Sequence, residues 1–453
     1  MNTFNFIPSE TRKALIVGVA SSVFIFSAAV VIVSGMLSLE LLGMIVAGIA
    51  AIVISIKVLQ EPYLGLAFIV AGQGAGDLLP SIPFLSSGIV ALGGITLLGF
   101  IFSQRRIALG KTIQLNTVHI LGLLFILWIV LTNPTAAING RDRNWLFTFA
   151  QLFILSWLAT QLLTTRRQQR NFMWLFVIAM LISALVGISE TFSEGGPTLE
   201  SRSTGFAEGV NSAARYFLWA FIFLFYLVNQ EIKNPLGKSV AFLGMGILVL
   251  GIAYTLSRSV LILLFAAVGL LFLQRSTISL SKRVLLLAIV AAAMLWLVPE
   301  VIYPLLDNVL LAITEGTDTV GTRYHLWEAG YRMWLDHPLA GVGIGEFRFN
   351  VQSFSPVIDK RISSHSLYIQ VLSETGIIGA LLVFLLLAIT LISLWKATKS
   401  TDLAQKSLSQ TWLILFVIIL LGGITKTELA EKMLWIVIGL GAGKSWKIEE
   451  PPG

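Results

Sequence analysis

A chain of 453 residues that is 56% hydrophobic and only 12% charged falls outside the ordinary soluble class. With no cysteine it has no disulfides, no thiolate metal site and no cysteine nucleophile. Its net charge of +7 is better explained by membrane topology than by nucleic acid, which is not expected as a partner.

Apolar runs of about 20 residues, enough to cross a hydrocarbon core of about 30 Å, recur from end to end. They predict an all-α polytopic transmembrane bundle of about 12–14 spans. The runs lie near 14–36, 39–58, 62–79, 84–102, 116–132, 145–163, 171–189, 212–228, 239–256, 259–274, 284–298, 365–395, 410–425 and 432–444. Arg12 and Lys13 precede the first, which is longer than a signal-peptide core and reads as a retained anchor. The run at 62–79 is interrupted by Gly72-Gln73-Gly74-Ala75-Gly76-Asp77, which reads as a bent or re-entrant helix. Three parts follow: a transmembrane bundle over 1–298, a polar loop over 299–364 and C-terminal helices over 365–453.

Lysine and arginine fill the short loops on one side of this arrangement, at Arg105, Arg106, Arg166, Arg167, Arg170, Lys233, Lys238, Lys282 and Lys396 among others. The positive-inside rule then places both termini in the cytoplasm and the 299–364 loop in the periplasm, for a multi-pass protein of the inner (plasma) membrane. Arg141, Arg143, Arg202, Arg215 and Arg258 break the rule. Arg258 is the most unusual, in a turn of almost no length between two apolar helices. An arginine near hydrocarbon costs several kcal/mol unless paired or solvated, so it marks a functional cavity unless it snorkels to headgroups.

The polar interval from Gly321 to Gly379 holds three of the four histidines. Tyr324, Trp327, Tyr331, Trp334 and Leu335 recur at helical spacing and predict a short helix with an aromatic face suited to the membrane–water boundary, Arg323, Glu328 and Arg332 lying toward its polar side. Pro338 stops it, and Gly341, Gly343 and Gly345 make a turn. His365 then stands at the mouth of a transmembrane helix. His325 and His337 read as structural, and Glu328 and Glu374 fit helix-surface pairing better than the orientation of a base. Two guanidiniums, Arg202 and Arg258, near a neutral imidazole fit a phosphorylated substrate, since arginine offers paired donors to phosphate oxygens and histidine can take a proton from a hydroxyl.

The run from Trp334 through Asp336-His337-Pro338-Leu339-Ala340-Gly341-Val342-Gly343-Ile344-Gly345-Glu346-Phe347, followed by Ser364-His365-Ser366-Leu367 and on to Gly379, closely resembles the signature of the O-antigen ligase family, which includes O-antigen and exopolysaccharide polymerases. The family usually has His-Asn where this chain has His365-Ser366. The resemblance implies a GT-C-like, lipid-linked glycosyltransferase without a cofactor or metal. Its donor would be an undecaprenyl-diphosphate-linked glycan at the outer leaflet, and its acceptor a saccharide or lipid A-core. By that resemblance His365 is the catalytic base on the acceptor hydroxyl. Arg202, in a stretch similar to the family's pattern through Gly205 and Asn211, and Arg258, in a family-like Ser-Arg pair, bind the diphosphate. Arg323, Arg361 and Asn211 are further candidates for substrate binding, although Arg323 also reads as an anchor to anionic membrane lipids. Lipid A-core ligation is favoured over polymerisation, with which it shares a donor and a base. A transporter of an inorganic anion is the alternative of another class, and few ionisable residues lie at mid-helix where a carrier needs them.

Overall fold

The computed structural model describes residues 39–73, 85–106, 115–132, 140–198, 202–207, 209–273, 319–427 and 429–443. Among these residues every regular element is a helix: α1 (Leu39–Gln60), α2 (Tyr63–Ala71), α3 (Leu85–Arg106), α4 (Thr117–Thr132), α5 (Gly140–Leu162), α6 (Arg166–Ser193), α7 (Val210–Gln230), α8 (Pro235–Tyr254), α9 (Arg258–Leu273), α10 (Thr319–Asp336), α11 (Phe347–Phe354), α12 (Leu367–Ala397), α13 (Leu403–Gly422) and α14 (Lys432–Ala442). Six of them, α5, α6, α7, α8, α12 and α13, are long and apolar enough to cross a membrane, and α4, α9 and α14 are shorter apolar helices. The chain is a multi-pass membrane protein. The predicted runs at 14–36 and 284–298 lie outside the described residues, as do residues 299–318 of the polar loop.

The helices fall into two compact units, one containing α1 and nearly all of α3, the other containing α4 to α14. In the first, glycines let the helices approach: a Cβ on Gly99 would lie 2.9 Å from the Val58 carbonyl oxygen. Small residues at contacts are the usual means of helix association in lipid, where burial of apolar surface supplies no drive.

The second unit is built around α7. Its sequence is apolar on every side, and every residue from Ala213 to Val228 is buried, as expected for a helix surrounded by others. Phe223 packs edge-on against Phe172 and Phe176 of α6 and against Trp412 of α13. The Trp412 indole donates to Gln169 Oε1 at 2.7 Å, which satisfies both polar groups inside the bundle. Gly251 of α8 lies against Ala184 and the Phe217 ring. On another side α14, buried along its length, sets Gly439 against α5, and Thr160 Oγ1 donates to the Gly439 carbonyl at 2.6 Å. The outward side chains of α4, α6, α9 and α12, such as Leu127, Ile182, Ile262 and Leu385, are apolar and exposed, as a lipid-facing surface requires.

The predicted aromatic helix forms as α10. Leu326, Ala329 and Met333 point inward and pack with Phe347, Val351 and Ile358. Tyr324, Tyr331 and Leu335 are exposed, and Arg332 bridges to Glu328 at 2.6 Å on the surface. Trp327 packs against this core as well, and Gly330 lets α10 approach Phe347 and Ile369 closely.

α12 is broken near its start. Gly376 has φ 63° and ψ −172°, far from helical. The polar turn that follows α10 enters the break: Val342 N–H donates to the Ser373 carbonyl at 2.9 Å, Gly343 N–H to the Glu374 carbonyl at 3.0 Å, and Ile377 N–H to the Pro338 carbonyl at 2.9 Å. Trp128 of α4 donates to the freed Thr375 carbonyl at 2.9 Å. Gly341, Gly343 and Gly345 all have positive φ, and a Cβ on Gly341 would lie 2.6 Å from the Glu374 carbonyl oxygen. Glu374, expected to pair along a helix surface, is instead buried here and accepts the Phe347 N–H at 3.2 Å.

Candidate functional site

The ends of several helices of the larger unit gather polar residues in one place. The first is the segment between α6 and α7. Gly205, with φ 53°, lies so close to α6 that a Cβ would stand 2.6 Å from the Ser183 carbonyl oxygen. Phe206 N–H donates to Ser183 Oγ at 3.0 Å, and Ser203 N–H to the Tyr254 carbonyl at the end of α8 at 3.0 Å. Arg202 is therefore tied through its neighbour to the turn that carries Arg258, and its own side chain is exposed.

That turn comprises only Thr255, Leu256 and Ser257, as the sequence predicts. Leu256 takes φ 50° and lets α9 begin at once with Arg258. Ser257 Oγ donates to Asn211 Oδ1 at 2.7 Å, which binds the turn to the start of α7.

His365 approaches from the other side, one residue before the N-cap of α12. Ser366 serves as that cap and accepts the Ile369 N–H, a task asparagine also performs. Leu367 N–H donates to the Gly423 carbonyl at 2.7 Å, and the Tyr368 hydroxyl to the Leu420 carbonyl at 2.8 Å, so the end of α13 fixes the start of α12. His365 has φ 49°. Among the described residues, His365 and Leu256 are the two non-glycine positions with positive φ, and both border this site.

Between these elements lies a cavity of about 70 Å³ lined by Asn211, Arg215, Ser259, Val260, Leu263, His365, Thr425 and Lys426. Arg215 is buried on α7. Lys426 Nζ donates to Ser212 Oγ at 2.7 Å and lies 3.2 Å from Glu431 Oε1. Glu431 also accepts from the Tyr216 hydroxyl at 3.2 Å and from Gln73 Nε2 at 3.1 Å, with Arg215 at the limit of an ion pair, 3.9 Å. Burial alone would raise the Glu431 pKa, but Lys426 and Arg215 outweigh it and hold the carboxyl below its usual range. For His365 burial and the charges of Arg323 and Lys426 act in the same direction and lower the pKa, so the imidazole is neutral and free to accept a proton at neutral pH.

The structure thus brings together His365, Asn211 and the turn of Arg258, with Arg323 close enough to act on the imidazole. Arg361 is exposed and stacks 5.2 Å from the Phe349 ring centroid. The side chains of Arg141 and Arg143 lie outside the described residues. Among the described residues no group of three or more His, Asp or Glu side chains assembles that could hold a metal ion. Sequence reasoning singled out Arg215 but gave it no role, and passed over Lys426 and Glu431. The signal was available: Lys426 breaks the same charge rule as Arg258, in the connection between two short apolar runs.

These features define a polytopic helical membrane protein with a polar, cation-walled site at one end of its bundle. Residues 243–384 match the family described as O-antigen ligase. Enzymes of this family are lipid-linked glycan ligases or polymerases. The match includes Arg258 and His365, whereas Arg202, Arg215, Lys426 and Glu431 lie outside it. No curated protein matches the chain.

Proposed function

We propose that the protein is a glycosyltransferase that moves a glycan from an undecaprenyl-diphosphate-linked donor to a saccharide acceptor, with lipid A-core as the favoured acceptor, at the periplasmic face of the inner membrane. The observation that carries this reading is His365, in left-handed backbone, its imidazole kept neutral, on the wall of a cavity shared with Arg215, Asn211 and Lys426. Strained backbone at a residue with proton-accepting chemistry is characteristic of a functional site.

In this reading the His365 imidazole takes the proton from an acceptor hydroxyl as its oxygen attacks the anomeric carbon of the donor sugar. The bond between that carbon and the diphosphate oxygen breaks in the same displacement, and the anomeric configuration inverts. Arg202 and Arg258 bind the diphosphate and stabilise the charge that develops as it leaves. Asn211 orients the turn of Arg258 through Ser257. Arg323 contributes positive potential from α10, with the anionic donor as its counterpart. The imidazolium then returns its proton to water.

The test uses a strain lacking the protein, complemented with wild type or His365→Ala at matched membrane levels, with surface polysaccharide separated by size. Wild type is expected to restore long glycan and His365→Ala to restore none. Chains left on the lipid carrier identify a ligase, and single repeat units a polymerase. Full restoration by His365→Ala overturns the assignment of the base.

A further inference from the structure

The wall of the His365 cavity includes Arg215 and Lys426, to which neither the motif nor the matched family segment gives a part. Lys426 and Glu431 belong to the connection between α13 and α14, beyond the matched residues. Lys426 Nζ reaches back across this connection to Ser212 on α7 and to Glu431, and it lines the same cavity as His365. Glu431 is itself held by the Tyr216 hydroxyl and the Gln73 amide. Three separate parts of the chain therefore converge to fix one ammonium group.

A lysine that served only to tether the bundle ends would have no reason to stand on a cavity wall that also carries the buried Arg215. Lysine is a flexible, strongly hydrated point charge, and holding its ammonium in one place sacrifices rotamer freedom. Fixing it beside the Arg215 guanidinium prepares a pair of cations for a ligand before the ligand arrives. With the Asn211 carboxamide on the same wall, the donors suit the oxygens of a phosphate or a carboxylate.

We infer that Lys426 is a further substrate-binding residue, contributing with Arg215 to a subsite for an anionic oxygen group of the glycan substrate, and that Glu431 is the positioning residue that sets it. The inference rests on the transferase reading. The anionic group is either a donor phosphate or the carboxylate of an acidic sugar on the acceptor.

The test is anion binding to the purified full chain in nanodiscs, by thermophoresis, with sodium pyrophosphate in one arm and sodium glucuronate in the other. Wild type is expected to bind at least one, and the arm that binds identifies the source. Lys426→Gln should weaken that binding about 10- to 100-fold, the range for one hydrogen bond to a charged group. Lys426→Arg, which keeps the charge, should bind within a few-fold of wild type and shows that the effect is not misfolding. In turnover assays, Lys426→Gln should also move the acidic limb of the rate profile to higher pH, with the charge of Arg323 still acting on the imidazole. Unchanged binding by Lys426→Gln, or binding of neither anion by wild type, overturns the inference. His365→Ala should keep anion binding, so a failure of the base assignment in the glycan assay is distinguishable from a failure of the subsite.

Discussion

A histidine in left-handed backbone is held there by its neighbours, because the conformation costs a non-glycine residue about 1–2 kcal/mol. At His365 the restraint comes from Ser366, which caps α12, and from the Leu367 bond to Gly423. Asparagine tolerates the same backbone but cannot act as a base near neutral pH. His365→Asn should therefore fold and insert like wild type while transfer falls about 10²- to 10⁴-fold, measured as kcat on purified protein. The pH profile gives a second reading at this scale. Since burial, Arg323 and Lys426 all disfavour the imidazolium, the proton-accepting form persists to lower pH than in a free histidine. The acidic limb of kcat/KM should lie below about 6.5, the ordinary histidine value; a limb above it contradicts the described environment. In the sequence Arg258 stands out because it breaks the charge rule, and His365 because it falls in the motif that resembles the ligase signature. Lys426 breaks the charge rule too, but its contacts with Ser212 and with Glu431, which Tyr216 holds, come together only in the fold.

Among the elements, the interrupted helix α12 gives the plainest link between sequence and site. The glycines after Pro338 suggest only a tight turn when read alone. Folded, that turn donates backbone N–H groups to carbonyls released by the break at Gly376. Gly341→Ala would place a methyl group against the Glu374 carbonyl and strain a residue with φ 71°. It should destabilise the protein by about 1–2 kcal/mol from backbone strain alone, with the contact adding more. Thermal unfolding in detergent checks this, and an unchanged melting temperature counts against the docked turn. The helices themselves were readable from apolar length, and the bounds of α4, α9 and α14 lie within a few residues of the predicted runs. The inward face of α10 was not readable. Large aromatics announce themselves by spacing, but which face turns inward is decided by the room beside Gly330, Phe347 and Val351.

For the whole molecule, charge separates the two ends of the larger unit. Arg166 and Arg170 pair with Glu231 at 3.0 Å where α6 begins and α7 ends, far along those helices from the site at their opposite termini. The orientation rule puts the first end in the cytoplasm and the second outside. Because the natural chain lacks cysteine, single substitutions report directly. Asp359→Cys should react with a membrane-impermeant maleimide on intact spheroplasts, and Arg167→Cys only after permeabilisation; the reverse pattern inverts the assignment.

The junction between the polar turn and α12 also bears on how freely this protein can change. Its bonds at Val342, Gly343 and Ile377 run from main chain to main chain, so they take no notice of which side chains the partners carry. What the junction does require is the absence of side chains at a few glycines. Replacements elsewhere along the turn can accumulate without loosening it, and the outer surface is free to diversify over an unchanging seam.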